Sequence, residues 1–179
     1  MKNMIGYERV YLLALEKYKF YVGSTSREMH VRYKEHCDGS GSRWTFNNPP
    51  LRCICWMRVP NGTSGRIENE LTKYMMSIRG WGNVRGGDWV FVRCKSRHWL
   101  PAELRSLGST DILELHARRV SHLLPETRRI IKFLQMTSGF HDPEHLNSDS
   151  FPEVLFSSVS EHLHHVDATH SVPVPLCAQ

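Results

Sequence analysis

An arginine and a histidine share one face of a predicted helix near the N-terminus. Arg32 and His36 lie four residues apart, and on a helical wheel both fall within about 60° of Met29, which with Tyr33 marks the apolar face. This face is expected to pack on a sheet, and burying an unpaired charge there is costly. We therefore expect it to open onto a cleft or to meet an anion, and a phosphate would serve.

Two tyrosines occupy neighbouring predicted strands. Tyr11 lies in RVYLLAL at 9–15, and Tyr21 lies in KFYVGST at 19–25. Aromatic and β-branched residues are typical of strands, and the short polar stretch between the two segments predicts a hairpin. If Tyr11 pairs with Tyr21, residues of equal parity share one face, so both phenols point the same way. A single strand tyrosine usually packs in a core. Tyr11 and Tyr21 become candidates for a site only because Arg32 and His36 are expected on the same side of the sheet.

A second amphipathic helix carries two candidate carboxylates. It is predicted at residues 65–79, where apolar residues recur at the spacing of a buried stripe: Ile67, Leu71, Tyr74, Met75 and Ile78. Glu68 and Glu70 lie on opposite flanks of this stripe, each roughly 80° from its centre. The periodicity does not choose between the two as the carboxylate of a site.

The remaining elements of the first part complete a small sheet. A helix is predicted from a cap at Thr25 or Ser26 to about Cys37, and a third strand is predicted at 51–59. The glycine-rich segment 81–89 is predicted to form no regular element, and a short strand is predicted at 89–94. The predicted fold class is α/β, of the α+β kind, with a three-stranded, mainly antiparallel sheet flanked by helices.

Three segments differ in character along the chain. Residues 1–95 form the predicted domain, 96–136 a helical C-terminal extension, and 137–179 a polar acidic tail that we expect to be flexible. Residues 1–105 carry 18 Lys and Arg against 9 Asp and Glu, whereas 106–179 carry 5 against 9. The basic part suits a polyanion such as nucleic acid. The helices of the extension are candidates for docking a protein partner or forming a homodimer.

Composition limits where the chain is expected to act. No apolar run approaches the roughly 18 residues that span a membrane, and the N-terminus lacks the features of a signal peptide. We therefore expect an intracellular protein, in the cytoplasm, or in the nucleus if eukaryotic or viral. The five irregularly spaced cysteines argue against a disulfide framework. A zinc site using His36, Cys37, Cys53 and Cys55 is an alternative. The pair Cys53 and Cys55 fits a strand better, because its two members would share one face.

Six short motifs occur in an order that resembles one enzyme superfamily. VYL and YVG lie on the two predicted strands, RYKEH and GSGSRWT follow, and IENEL opens the second long helix, with NVRGG after it. In this order the motifs resemble the GIY-YIG endonuclease superfamily over residues 8 to about 90. The departure is Arg9, which stands where that family has its first glycine.

The resemblance implies a divalent-metal-dependent DNA endonuclease and a role for each site residue. Glu68 would hold Mg²⁺ (or Mn²⁺), and Arg32 would contact the scissile phosphate. Tyr11 would orient or deprotonate the attacking water, and Tyr21 would hydrogen-bond the water or the phosphate. His36 would assist proton transfer or hold a phosphate oxygen. The resemblance also makes Asn83 a supporting residue of the site.

Four further residues are candidates for contacts with nucleic acid: Arg27, Arg43, Trp44 and Arg85. Arginine is suited to phosphates, and an indole can stack on a base. The sequence leaves open a nuclease that acts on RNA, and a catalytically silent module or scaffold that binds nucleic acid. It also leaves open whether cleavage yields a nick or a double-strand break.

Overall fold

Four strands and four helices make up the part of the chain that the structure describes. The computed structural model describes residues 6–92, 122–137 and 153–154. A single 3₁₀ turn follows the third helix. The elements are β1 (Tyr7–Leu15), β2 (Lys19–Thr25), α1 (Met29–Cys37), α2 (Arg43–Asn47), β3 (Pro50–Pro60), α3 (Ser64–Arg79), the 3₁₀ turn (Trp81–Asn83), β4 (Val84–Arg85) and α4 (Pro125–Met136).

The sheet has the strand order β3-β1-β2-β4, in which β1 is antiparallel to both its neighbours and β4 is parallel to β2. The α+β class is confirmed, but the predicted three-stranded sheet is corrected to a four-stranded mixed one. The strand predicted at 89–94 is wrong over its described residues, 89–92, which form only an isolated bridge at Trp89. The fourth strand is instead Val84–Arg85, which was missed because it has only two residues inside the glycine-rich segment that predicted no regular element. Both residues are buried beside Phe20 and Tyr21 of β2.

The β1–β2 hairpin keeps the two tyrosines on one face, although its register differs from the prediction. Tyr11 pairs with Gly23, and Tyr21 pairs with Leu13. The shift is two residues, which preserves parity because strand side chains alternate with a period of two. The turn that sets this register has positive φ angles at Lys17 and Tyr18.

Alternate residues of the sheet pack into two separate cores. The core on the α3 and α4 face includes Val10, Leu12, Val22, Ile67, Leu71, Ile130 and Leu134. The core on the α1 and α2 face includes Tyr11, Leu13, Tyr21, Met29, Tyr33 and Trp44. The chemically interesting tyrosines therefore lie on the same side of the sheet as α1.

The cysteines depart from their predicted arrangement. A bulge in the pairing of β1 with β3 places Leu12 opposite Cys55 and Leu13 opposite Cys53. The extra residue changes the facing of the strand, so Cys53 and Cys55 lie in different cores instead of sharing one face. Both are free and buried, whereas Cys37 is disulfide-bonded, which the odd cysteine count did not predict.

The C-terminal part contributes one described helix and one short contact. α4 buries Ile130, Ile131 and Leu134 against the α3 side, and Val154 donates a backbone hydrogen bond to the Trp56 carbonyl at 2.8 Å. The rest of the predicted extension and tail lies outside the described residues. None of the described helices is long and apolar enough to cross a bilayer.

Candidate active site

Three rings meet on the α1 face of the sheet. The ring centroids of Tyr11 and Tyr21 are 6.3 Å apart, and those of Tyr21 and His36 are 5.1 Å apart. The Tyr11 and His36 centroids are separated by 5.8 Å in an edge-on arrangement. All three side chains are buried, with Tyr11 and His36 each 1% exposed. The structure thus brings together two strand tyrosines and the helix histidine that sequence spacing selected.

The Tyr11 ring lies so close to the backbone of β2 at position 23 that only glycine fits there. A Cβ atom at this position would lie 2.4 Å from the Tyr11 hydroxyl oxygen and 2.8 Å from Cε1 of Tyr21. Real side chains do not tolerate such distances, so a methyl group here would move at least one tyrosine. The glycine of the YVG motif therefore makes room for both phenols.

His36 is hydrogen-bonded through both ring nitrogens. Its Nε2 lies 2.9 Å from the Tyr11 hydroxyl, and its Nδ1 lies 2.8 Å from Oγ1 of Thr45 in α2. Burial, followed by the nearby Arg32 charge, lowers the pKa of His36 to about 3, although Glu35 opposes the shift. The imidazole is therefore neutral at physiological pH.

Arg32 links this buried cluster to solvent. Its Nε donates to the Tyr11 hydroxyl at 3.1 Å, and its Nη1 donates to Glu35 at 2.6 Å. The side chain is 21% exposed. A guanidinium has five N–H donors in a fixed fork, so donors remain for a phosphate oxygen. The cation is consequently placed to bind an anion directly beside the Tyr11 hydroxyl.

Both site tyrosines are poor acids in the folded protein. Burial raises the pKa of Tyr11, and Tyr21 adds to the shift while Arg32 opposes it. Burial also raises the pKa of Tyr21, followed by the negative charge of Glu68. Each phenol is therefore protonated at neutral pH, so Tyr11 can accept a proton only if its own proton leaves at the same time.

The carboxylate of Glu68 reaches the site from the helix on the opposite face of the sheet. One of its oxygens accepts a hydrogen bond from the Ser24 hydroxyl at 2.6 Å, and the other accepts one from the Gly87 backbone N–H at 2.8 Å. Its charge raises the pKa of both Tyr11 and Tyr21, so it lies within electrostatic range of both phenols. Glu68 is partly exposed.

Glu68 is suited to a hard divalent cation. A carboxylate oxygen has more than one acceptor position, so each Glu68 oxygen can still take a cation ligand position beside its single donor. In the part of the chain that the structure describes, no group of three or more His, Cys, Asp or Glu side chains could hold a metal ion. Mg²⁺ does not need such a group, because it is commonly bound by one or two carboxylates and several waters.

Glu70, the other carboxylate of the predicted pair, is committed elsewhere. Its Oε2 accepts hydrogen bonds from the Thr127 hydroxyl at 2.6 Å and from the Leu124 backbone N–H at 3.0 Å. Oε1 accepts from Arg66 at 3.0 Å. The helical periodicity does not distinguish Glu68 from Glu70, but their hydrogen-bond partners do.

Asn83 lies apart from the ring cluster, beside the start of β2. Its Oδ1 accepts a hydrogen bond from Lys19 Nζ at 2.6 Å, and its Nδ2 donates to the Arg79 carbonyl at 2.8 Å. These contacts fix the 3₁₀ turn to β2 near Phe20. The hydrogen bonds of this side chain therefore join it to neither Tyr21 nor Glu68.

The four candidate nucleic-acid contacts divide into two exposed and two buried residues. Arg27 and Arg43 are exposed, and Arg27 is paired with Glu35. Trp44 is instead in the core, where its indole donates to the Phe20 carbonyl at 3.0 Å. Arg85 is buried with its guanidinium 4.5 Å from the Trp44 ring centroid. Trp44 and Arg85 are therefore interior residues. Backbone carbonyls accept their N–H groups, and the Arg85 guanidinium also lies over the Trp44 ring.

Arg9, which departs from the family's first glycine, secures the loop between β2 and α1. Its guanidinium donates to the Arg27 carbonyl at 3.0 Å and forms an ion pair with Glu28. Glu28 occupies the N-cap position of α1, where a cap at Thr25 or Ser26 was predicted. The arginine therefore holds the start of the helix that carries Arg32 and His36.

Sequence reasoning missed three residues that contact the site: Ser24, Thr45 and Gly87. Each lies inside or directly beside a motif that drew interest because of another residue. Ser24 directly follows the YVG glycine, Thr45 ends GSGSRWT, and Gly87 ends NVRGG. These three residues could have been predicted from the sequence, because each places a hydroxyl or a backbone N–H next to a residue that was already a candidate.

Comparison with known proteins yields no relative. No protein-family model matches the chain, and neither curated proteins nor solved structures give a significant match.

Proposed function

We propose that this protein is an endonuclease that uses a divalent metal ion to hydrolyse phosphodiester bonds of DNA. The observation that supports this most is the convergence of Tyr11, Tyr21, His36 and Arg32 on one face of the sheet, with the Glu68 carboxylate in electrostatic range of both phenols. The motif order that resembles the GIY-YIG superfamily agrees with this set. An intracellular location is part of the proposal, because such an enzyme acts on DNA inside the cell.

Phosphodiester hydrolysis needs an aligned water, neutralisation of phosphoryl charge and assistance to the leaving 3′ oxygen. Arg32 is the group for the scissile phosphate, because it is partly exposed and its fork has donors to spare. Mg²⁺ or Mn²⁺, held by Glu68 and waters, would neutralise charge on the phosphate and on the leaving oxygen. Ser24 and Gly87 keep the Glu68 carboxylate in place for that role.

The proton of the attacking water has an acceptor in the Tyr11 oxygen. Tyr11 already receives a hydrogen bond from Arg32 and contacts His36 Nε2 at 2.9 Å. A proton can therefore pass through this contact while the phenol stays neutral overall. Tyr21, on the neighbouring strand, is the group to hydrogen-bond the water or the phosphate.

A direct test is cleavage of supercoiled plasmid and of a branched DNA by the purified full chain, with Mg²⁺, Mn²⁺ or EDTA. We expect cleavage that needs the metal ion, and the products distinguish a nick from a double-strand break. Matched DNA and RNA hairpins test the nucleic acid preferred. Binding that persists in EDTA, without cleavage of any substrate, would overturn the proposal in favour of a silent binding module or scaffold.

A further inference from the structure

A continuous line of hydrogen bonds runs from the partly exposed guanidinium of Arg32 into α2. Arg32 Nε is 3.1 Å from the Tyr11 hydroxyl, which is 2.9 Å from His36 Nε2. His36 Nδ1 is 2.8 Å from Thr45 Oγ1, and that hydroxyl donates to the Ser42 carbonyl at 2.9 Å. Five groups from β1, α1 and the start of α2 are thus connected in series.

The two ends of this line fix the direction of every bond in it. A guanidinium can only donate and a backbone carbonyl can only accept. Thr45 has one hydroxyl proton, so when it donates to Ser42 its oxygen is left to accept from Nδ1 of His36. A neutral imidazole with its proton on Nδ1 has an acceptor at Nε2, and that acceptor takes the Tyr11 proton.

The opposite tautomer breaks the line at both ends. With the proton on Nε2, His36 would donate to Tyr11, whose oxygen already accepts from Arg32. The Tyr11 proton would then have no acceptor among the hydrogen bonds of the described residues. Thr45 would have to turn its proton towards Nδ1, and the Ser42 carbonyl would keep only its hydrogen bond from the Phe46 N–H at 2.9 Å. The larger cost falls on Tyr11, because a buried polar group left without a partner costs about 1–3 kcal/mol.

We infer that Thr45 is a positioning residue that holds His36 in the tautomer protonated at Nδ1, so that Nε2 accepts the proton of Tyr11. Thr45 is completely buried. Its backbone N–H is held by the Ser42 hydroxyl, which caps α2. The backbone of Thr45 is therefore fixed at the start of α2, and its hydroxyl lies between Nδ1 of His36 and the Ser42 carbonyl.

The glycine that precedes the cap supports this arrangement. A Cβ atom on Gly41 would lie 2.2 Å from His36 Nδ1. Only a residue without a side chain lets the chain pass this close to the ring, and this closeness brings Thr45 within hydrogen-bonding distance. The segment from Gly41 to Thr45 thus packs against the Nδ1 side of the His36 imidazole.

The catalytic consequence rests on the proposed nuclease function. As the water oxygen forms its bond to phosphorus, the bond from phosphorus to the 3′ oxygen breaks, and that leaving oxygen takes a proton from solvent. The water proton passes to the Tyr11 oxygen, and the Tyr11 proton passes to His36 Nε2. The phenol is unchanged at the end of this step, and the imidazole carries the extra proton. In the other tautomer Nε2 already bears a proton and cannot accept one.

Ring-nitrogen NMR of the full-length ¹⁵N-labelled protein tests the inference without any substrate. The signals of His36 are identified by their loss in His36→Gln. We expect a protonated Nδ1 and an unprotonated Nε2 in the wild type and in Thr45→Ser, which keeps the hydroxyl. Thr45→Val keeps the shape and removes the hydroxyl, and we expect it to populate the form protonated at Nε2.

Cleavage kinetics give the second measurement. We expect Thr45→Val to lower kcat about 10- to 100-fold with KM little changed, as for other residues that orient a functional side chain, and Thr45→Ser to restore most of the rate. A wild-type His36 protonated at Nε2, or an unchanged tautomer in Thr45→Val, would overturn the inference. If Thr45→Val does not fold, the inference is judged from the wild type and Thr45→Ser. Both must show His36 protonated at Nδ1, and protonation at Nε2 in either would overturn it. Absence of cleavage by the wild type would reject the nuclease and leave the spectra to judge Thr45.

Discussion

The Oε2 atom of Glu70 accepts a 2.6 Å hydrogen bond from the hydroxyl of Thr127, 57 residues further along the chain. The same oxygen accepts from the backbone N–H of Leu124, the N-cap residue of α4. A carboxylate at the N-terminus of a helix also interacts favourably with the helix dipole. Glu70 therefore fastens α4 to α3, and Glu68 is left as the carboxylate of the candidate site.

Charge removal at the two glutamates should affect different properties. We expect Glu68→Gln to lower metal-dependent cleavage about 100-fold or more, because it removes the charge that holds the cation. Glu70→Gln should retain cleavage within about threefold, since the hydrogen bonds of Glu70 among the described residues go to Arg66 of α3 and to the start of α4. Plasmid nicking with a Mg²⁺ titration measures both. Equal losses in the two variants would contradict the assignment of Glu68.

Removal of the Glu70 carboxylate should lower stability. Glu70→Ala leaves the Leu124 N–H and the Thr127 hydroxyl without their acceptor, so we expect the free energy of unfolding to fall by about 1–2 kcal/mol. Urea unfolding followed by circular dichroism measures the change. Thr127→Val, which removes only one of the two donors, serves as the matched control and should have a smaller effect.

A methyl group at Gly23 should impair the site far more than the fold. Its Cβ would lie 2.4 Å from the Tyr11 hydroxyl, so we expect Gly23→Ala to displace the phenol and lower kcat about 100-fold. Gly65→Ala is the control, because nothing lies within 4 Å of a Cβ there. Cleavage assays with both variants give the comparison. A Gly23→Ala enzyme of normal activity would show that the position of Tyr11 does not limit the rate.

The sequence allowed much of the scaffold to be predicted because the long elements have clear periods. The hairpin, the helix at 64–79 and the shared face of Tyr11 and Tyr21 follow from alternation and from the 3.6-residue repeat. A register error of two residues left the tyrosine faces intact. A single-residue bulge was enough to put Cys53 and Cys55 in different cores.

The remainder depended on tertiary partners that no local pattern reveals. β4 has two residues and α2 has five, which is too short for either to show a period. Glu68 and Glu70 have equivalent positions on the helical wheel, and they are distinguished by tertiary partners such as Ser24 for Glu68 and Thr127 for Glu70. Trp44 sits in a polar loop sequence, yet it is buried because its indole finds a carbonyl partner.

Acid should weaken the folded state through His36. The pKa of His36 is about 3 when folded, because of burial and the Arg32 charge, and about 6.5 when unfolded. Between these values the unfolded chain binds the proton and the native protein does not, so stability is present above pH 6.5 and is lost as the pH falls. We expect this residue alone to lower the free energy of unfolding by about 1–2 kcal/mol between pH 7 and pH 5.

Urea unfolding at the two pH values measures that loss. The control is His36→Gln, which cannot titrate and should lose less stability on acidification than the wild type. The other histidines are common to both proteins, so the difference between the two losses reports His36. Identical losses would mean that His36 is already protonated in the folded protein at pH 5.

Phosphate contacts should be made by the exposed arginines and not by the buried one. We expect Arg43→Gln to weaken DNA binding and to reduce the slope of log K against log salt by about 0.9, the value for one lost phosphate contact. Lys132→Gln removes the same charge from the exposed face of α4 and should leave the slope unchanged. Fluorescence anisotropy with a labelled duplex in EDTA, over a salt series, measures the slope. Equal changes in the two variants would mean that only net charge matters, and would remove Arg43 from the DNA-binding surface.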